Sequence, residues 1–226
     1  MGTSKGYIAP TSPQWRNAKR GVTSYLTDPT ENKKKQAISR YAKAIKMDDH
    51  SLALASTSFA GLMAFISSAN AVGLNDALRE IGREDLRDLD PKDALDELLS
   101  FYSNGGSTID DSVVLDCMAD SFDVLEIEEL SQITQADLNL LLNELICQFA
   151  KRKFAQMFTK QANEKCTLIE ANNRLSEVQE YIYYTLKEEL NRTDAPPINP
   201  KNIGDMPVVK SIIDKAFSIM EQWYGE

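Results

Sequence analysis

Gly2 is the residue of this sequence with the plainest chemical potential. Its small side chain lets an aminopeptidase remove Met1, which would leave a sterically open α-amine. Such an amine has a pKa of about 7.7–8.0, so roughly a tenth or more is uncharged and nucleophilic at neutral pH, whereas a lysine amine, at about 10.4, is far less available. About a dozen residues, Pro10 and Pro13 among them, separate Gly2 from a helix expected to start near Gln14, a tether of roughly 40 Å if extended. N-myristoylation would require Ser or Thr four residues after Gly2, and that position is Gly6.

Elsewhere the constellations that chemistry needs are thin. The one histidine, His50, follows Asp48-Asp49 at an expected helix boundary, where it reads as a cap or exposed residue, and no second histidine could complete a Ser-His-Asp or Cys-His system. Cys117, Cys147 and Cys166 lack CxxC spacing and sit in apolar stretches, so they read as small buried hydrophobes; only Cys166, beside Lys165, has a basic neighbour that could make it reactive. Neither a phosphate-binding G-x-x-x-x-G-K-[ST] loop nor a G-x-G-x-x-G after a strand is present. Asp110, Asp111, Asp120, Asp123, Glu126, Glu128 and Glu129 read as a charged helix face rather than a metal site. The expectation is a protein without catalytic residues, metal or cofactor.

The elements that would carry these residues are helical throughout. With 226 residues, 42% hydrophobic and 26% charged, the chain can bury a substantial core and has ordinary globular composition. Asp28-Pro29-Thr30-Glu31 and Asp90-Pro91-Lys92-Asp93 each combine an N-cap, an early proline and a carboxylate, and each introduces an apolar stripe, Ile38, Tyr41, Ala42 and Ile45 after the first and Ala94, Leu95, Leu98, Leu99 and Tyr102 after the second. Asn104-Gly105-Gly106-Ser107 predicts a turn between antiparallel helices, with Ser107 or Thr108 capping the next, and Thr134 offers a further cap. Further stripes run through Val114, Met118, Phe122 and Leu125, through Leu138, Leu142, Leu145 and Phe149, and through Leu168, Leu175, Val178, Ile182, Leu186 and Leu190. A proline-rich segment, about 193–207, precedes a last amphipathic helix carrying Val209, Ile212, Ile213, Ala216, Met220 and Trp223. With no sustained two-residue alternation, the fold class is all-α: a multi-helix array or bundle with an extended N-terminal tail. Residues 1–13 form the tail and 14–226 one helical domain, with a possible subdomain break near 104–107.

Charge and hydropathy narrow the partners. Net charge is −9, but residues 1–50 hold ten Lys/Arg against four Asp/Glu, leaving the remainder at −15. That acidic remainder would repel a phosphate backbone, so nucleic acid is an unlikely partner, and Lys33, Lys34 and Lys35 read as a solvated helix face. Binding of nucleic acid through the basic first quarter stays as an alternative. The uncharged stretch from Ser51 to Asn75 holds seven Ser, Thr and Asn residues before Ala71, which marks a buried central helix rather than a membrane span. Unpaired cysteine usage and the lack of a signal-like start fit a reducing cytoplasm.

MGTS at the start, followed by Tyr7, Pro10 and Trp15-Arg16, resembles the N-terminus of the QatB family of the Qat antiphage defence systems, and the GGSTIDDSVVLDCMADSFDVL stretch is similar to a segment of the same family. The resemblance implies a non-catalytic defence component that acts with a QueC-like enzyme, and with an ATPase and a TatD-like nuclease of the same operon. QueC-like enzymes activate a 7-deazaguanine carboxylate with ATP for attack by an amine. By this resemblance Gly2 is the acceptor of an amide-linked 7-deazapurine, and Thr3, Ser4, Tyr7 and Pro10 help the partner recognise the tail. The plainer alternative is a helical adaptor or scaffold whose tail is only a docking arm.

Overall fold

A computed structural model describes residues 11–47, 49–192 and 204–224. Nine α-helices run through them: α1 (Pro13–Thr27), α2 (Glu31–Lys46), α3 (Asp49–Val72), α4 (Leu74–Glu80), α5 (Pro91–Tyr102), α6 (Ile109–Val124), α7 (Leu138–Lys165), α8 (Leu168–Arg192) and α9 (Met206–Gln222). Short 3-10 turns at 84–88, 104–106 and 130–135 link some of them, and no strand occurs among the described residues. The protein is all-α, as its helical periodicity requires.

Capping chemistry sets most of the boundaries. Asp90 caps α5 by accepting from Lys92 N at 3.0 Å, with Pro91 in the first turn. The Asp28-Pro29 pair works differently: Thr30 is the N-cap of α2, its Oγ1 accepting from Lys33 N, while Asp28 closes α1 and pairs with the Lys33 ammonium. Pro29 therefore lies before the helix rather than in its first turn. Gly105 and Gly106, both with φ of 64°, make the left-handed turn between α5 and α6 that a side chain would strain. Thr108 then caps α6 in a reciprocal box with Asp111. Thr134 falls inside a 3-10 turn instead, and Asp137, accepting from Asn139 N and Leu140 N, starts α7.

The helices pack as interlocking hairpins around α3. The antiparallel pairs α1–α2 and α7–α8 form the largest helix contacts, and α9 lies across α2 and α3. The segment His50–Val72 is long and apolar enough to cross a membrane, yet most of it is buried among neighbouring helices, which makes it the central helix of the core. Two glycines let this helix be approached closely. A Cβ on Gly61 would lie 2.9 Å from the Tyr102 ring, and one on Gly204 would lie 2.5 Å from Ala64 Cα. The expected stripes are buried, with Tyr102, Leu125, Leu190 and Ile212 half-buried against the core, and Leu168, 65% exposed, lies outside it at the start of α8.

One run of aromatic rings joins the layers. Trp15 of α1, 2% exposed, sits 6.4 Å from both Tyr41 and Phe158. Tyr41 makes edge-to-face contacts with Phe154 and Phe217 and donates its hydroxyl to the Ala150 carbonyl at 3.1 Å. Phe217 continues through Phe149 to Phe59, so α1, α2, α3, α7 and α9 share a single core.

Candidate functional site

Gly2, Thr3, Ser4, Tyr7 and Pro10 lie outside the described residues, as does Met1. The described chain begins at Thr11, and Thr11, Ser12 and Pro13 are all exposed. Ser12 caps α1, its hydroxyl accepting from Trp15 N at 3.4 Å and its carbonyl from Arg16 N at 2.9 Å. Two residues into the helix, Trp15 is sunk into the aromatic core. The residues preceding α1 thus join the body at its surface, through a first turn that packing and capping both fix. That turn carries no acidic residue to offset the positive end of the helix dipole.

Beside this end, Pro13, Gln14, Asn17, Arg20, Arg40 and Lys43 line a cleft of about 630 Å³ between α1 and α2. Gly21 makes the close approach possible, because a Cβ there would lie 3.0 Å from Arg40 Cδ and 3.3 Å from Ala37 Cα. The aliphatic stem of Arg40 lies over this gap. Lys43 is exposed and reaches Glu221 only at 4.0 Å.

The interior holds several ionic clusters that tie distant helices together. Glu144 of α7, 2% exposed, accepts from Gln148 Nε2 at 2.7 Å, Tyr183 OH at 2.8 Å and Lys187 Nζ at 2.9 Å. Burial opposes the charge on Lys187, but its hydrogen bonds to Glu144 and Tyr183 prevail and push the ammonium pKa up. Lys153, fully buried in α7, pairs at 2.6 Å with Asp110, whose other oxygen accepts from Ser51 Oγ of α3 at 3.1 Å. Lys34 is 7% exposed and bonds Glu177 and Glu31 at 2.9 and 2.8 Å, with Tyr25 OH also donating to Glu177 at 2.9 Å. The Lys34 contact, seconded by the Tyr25 hydroxyl, outweighs the effect of burial and holds the Glu177 carboxyl below its ordinary range.

These clusters revise the reading of two charged runs. Lys33-Lys34-Lys35 is not a uniformly solvated face, because Lys34 points inward between α2 and α8 while Lys33 pairs with Asp28. Asp110, Asp111 and Asp120 likewise belong to the packed structure rather than to an open acidic face. Asp111 is 4% exposed and accepts from Thr108, Ser107 and Asn104, and Asp120 pairs with Arg152. Burial works against the Asp111 charge, but the hydrogen bonds win and lower its pKa. No group of His, Cys, Asp and Glu is arranged to hold a metal among the described residues.

The remaining candidates stay apart. His50 is exposed at the start of α3. Burial pushes the Cys147 thiol up to about 12 and raises Cys117 further, whereas Cys166 is half-buried, with Arg174 Nη1 at 3.6 Å from its sulfur. The sequence did not single out Arg20, Arg40 or Glu144. The only local signal for the first two was a glycine inside a basic helix, and the partners of Glu144 lie up to 43 residues away.

The architecture defines a class: an all-α protein of interlocked hairpins, fastened by buried ion pairs, with a basic cleft where its N-terminal segment joins. The family described as Qat anti-phage system associated protein QatB matches residues 50–220, and the chain belongs to that family. It is therefore a component of antiphage defence. The matched segment runs from the first turn of α3 into α9, so the α1–α2 hairpin and its cleft precede it. No curated protein and no solved structure matches.

Proposed function

We propose that this chain is the protein substrate of a QueC-like partner and is not itself an enzyme. After removal of Met1, the Gly2 amine attacks the acyl carbon of an adenylated 7-deazapurine carboxylate. The new amide bond forms as the acyl–phosphate bond breaks; AMP leaves with the electron pair and the amine gives up a proton. Thr3, Ser4, Tyr7 and Pro10 present the amine to the partner's pocket, and the helical body assembles with other cytoplasmic defence proteins, an ATPase and a TatD-like nuclease among them. The observation that carries this reading is membership of the antiphage family in a chain whose Met-Gly terminus joins the body at an exposed, well-anchored helix start.

Intact-mass spectrometry of the chain co-expressed with its QueC-like partner tests the proposal. The expected result is loss of Met1 and a mass increase that localises to Gly2 on fragmentation. Complete Met1 removal with an unmodified Gly2 beside an active partner overturns it. In that event, deletion of residues 2–10 with loss of partner binding would point to the tail as a plain docking arm. Nucleic-acid binding through Lys33, Lys34 and Lys35 is disfavoured because two of the three ammonium groups are engaged by carboxylates.

A further inference from the structure

We infer that the α1–α2 cleft is a binding site for a small phosphorylated anion carrying two or more phosphoryl groups. Three cationic side chains, Arg20, Arg40 and Lys43, line one concavity, and among the described residues no acidic one lines it. In a chain with 34 acidic residues against 25 basic ones, such a gathering needs a reason. Arg79, Arg83, Arg152, Arg174 and Arg192 each pair with a carboxylate, whereas Arg16, Arg20, Arg40 and Arg87 have no ion-pair partner among the described residues, and of these four Arg20 and Arg40 share the cleft. Lys43 shares the Glu221 carboxylate with Lys46, so the uncompensated charge of the cleft is that of Arg20 and Arg40, and an anion between them removes the cost of their repulsion.

Two further features favour phosphate. The N-terminus of α1, with no carboxylate in its first turn, borders the same cleft through Pro13 and Gln14; Pro13 has no N–H and Ser12 takes that of Trp15, so the end adds its dipole and the Gln14 N–H to the guanidinium charge. Gly21 lets the Arg40 stem lie flat against α1, which limits the conformations of a side chain otherwise costly to order. Planar guanidinium groups suit bidentate contact with phosphoryl oxygens, and Gln14 and Asn17 add amide donors.

The volume, about 630 Å³, is that of a small-molecule site. Among the described residues no aromatic ring lines the cleft to stack on the bases of a single strand, and the acidic remainder of the chain opposes a long polyanion. This inference does not depend on modification of Gly2.

Calorimetric titration of the full chain with inorganic pyrophosphate at low salt tests it. The expected result is saturable one-to-one binding, weakened roughly tenfold for each guanidinium removed in Arg20→Gln and Arg40→Gln. The charge-matched pair Arg79→Gln and Arg87→Gln should bind as the parent does. Arg20 is exposed, so Arg20→Gln alone serves if the Arg40 variant fails to fold. Absence of saturable binding overturns the inference, as does equal weakening by the two pairs. Tighter binding of a twelve-residue oligothymidine or of hexaglutamate than of pyrophosphate, lost in the same variants, would also overturn it and reassign the cleft to nucleic acid or to an acidic peptide.

Discussion

The ammonium of Lys153, buried in the middle of α7, lies 2.6 Å from the carboxylate of Asp110 in the first turn of α6. The two partners are unequally dependent on each other. Asp110 is partly exposed, keeps a hydrogen bond from Ser51 and sits at a helix N-terminus that favours a negative charge, whereas Lys153 has no water to fall back on. Asp110→Asn should therefore cost about 3–5 kcal/mol by stranding a buried cation, and Lys153→Met should cost about 2 kcal/mol or less. Urea unfolding of both variants checks this, and equal costs would show that the lysine is hydrated.

Asp111 makes a prediction about acid. Its folded-state pKa is lowered by the donors of Thr108, Ser107 and Asn104, so its contribution is complete above the ordinary aspartate value of about 3.9 and is lost as pH falls through the depressed value. Asp111→Ala removes the return half of the α6 capping box, leaving Thr108 in place, and strands those donors, at about 2–3 kcal/mol near neutral pH. Stability measured against pH should show parent and variant curves converging only below the ordinary carboxylate range. Convergence at a higher pH would mean that the cap is not charged.

The three thiols should separate by reactivity. With Cys147 pushed up to about 12 and Cys117 raised by full burial, almost no thiolate forms at either position in the folded state. Ellman's reagent at pH 8 should label Cys166 first, and the other two only at the rate of unfolding. Early labelling of Cys117 or Cys147 would reveal local opening of α6 or α7.

Much of this fold was legible because helices advertise themselves locally. The stripes of α5, α7 and α9, the Asp90-Pro91 start and the Gly105-Gly106 turn each depend on residues within a few positions of one another. The errors arose where two nearby polar residues competed for one role. Thr30 takes the α2 cap because Asp28 already ends α1 and engages Lys33, and Asp137 displaces Thr134 because a 3-10 turn intervenes. Lys34 falls on the buried face of α2 with Ala37 and Ile38 and pairs locally with Glu31, but its second carboxylate partner, Glu177, lies 143 residues away, beyond any local signal. The same holds for the cleft, since Arg20 and Arg40 become neighbours only when the α1–α2 hairpin closes across Gly21.

The seat of α9 also bears on how the chain reaches this structure. Ser39 of α2 donates to the carbonyl of Glu221, 182 residues further on, at 2.6 Å, and Phe217 completes the ring contact with Tyr41. So distant a pairing raises the contact order above that of a bundle of sequential hairpins, which slows folding relative to such a bundle. At about 5–20 residues per second, translation separates α2 from α9 by roughly ten to forty seconds, during which the apolar side of α2 lacks its cover. Truncations within the last helix should accordingly trap a ribosome-released chain in an aggregation-prone, partly folded form.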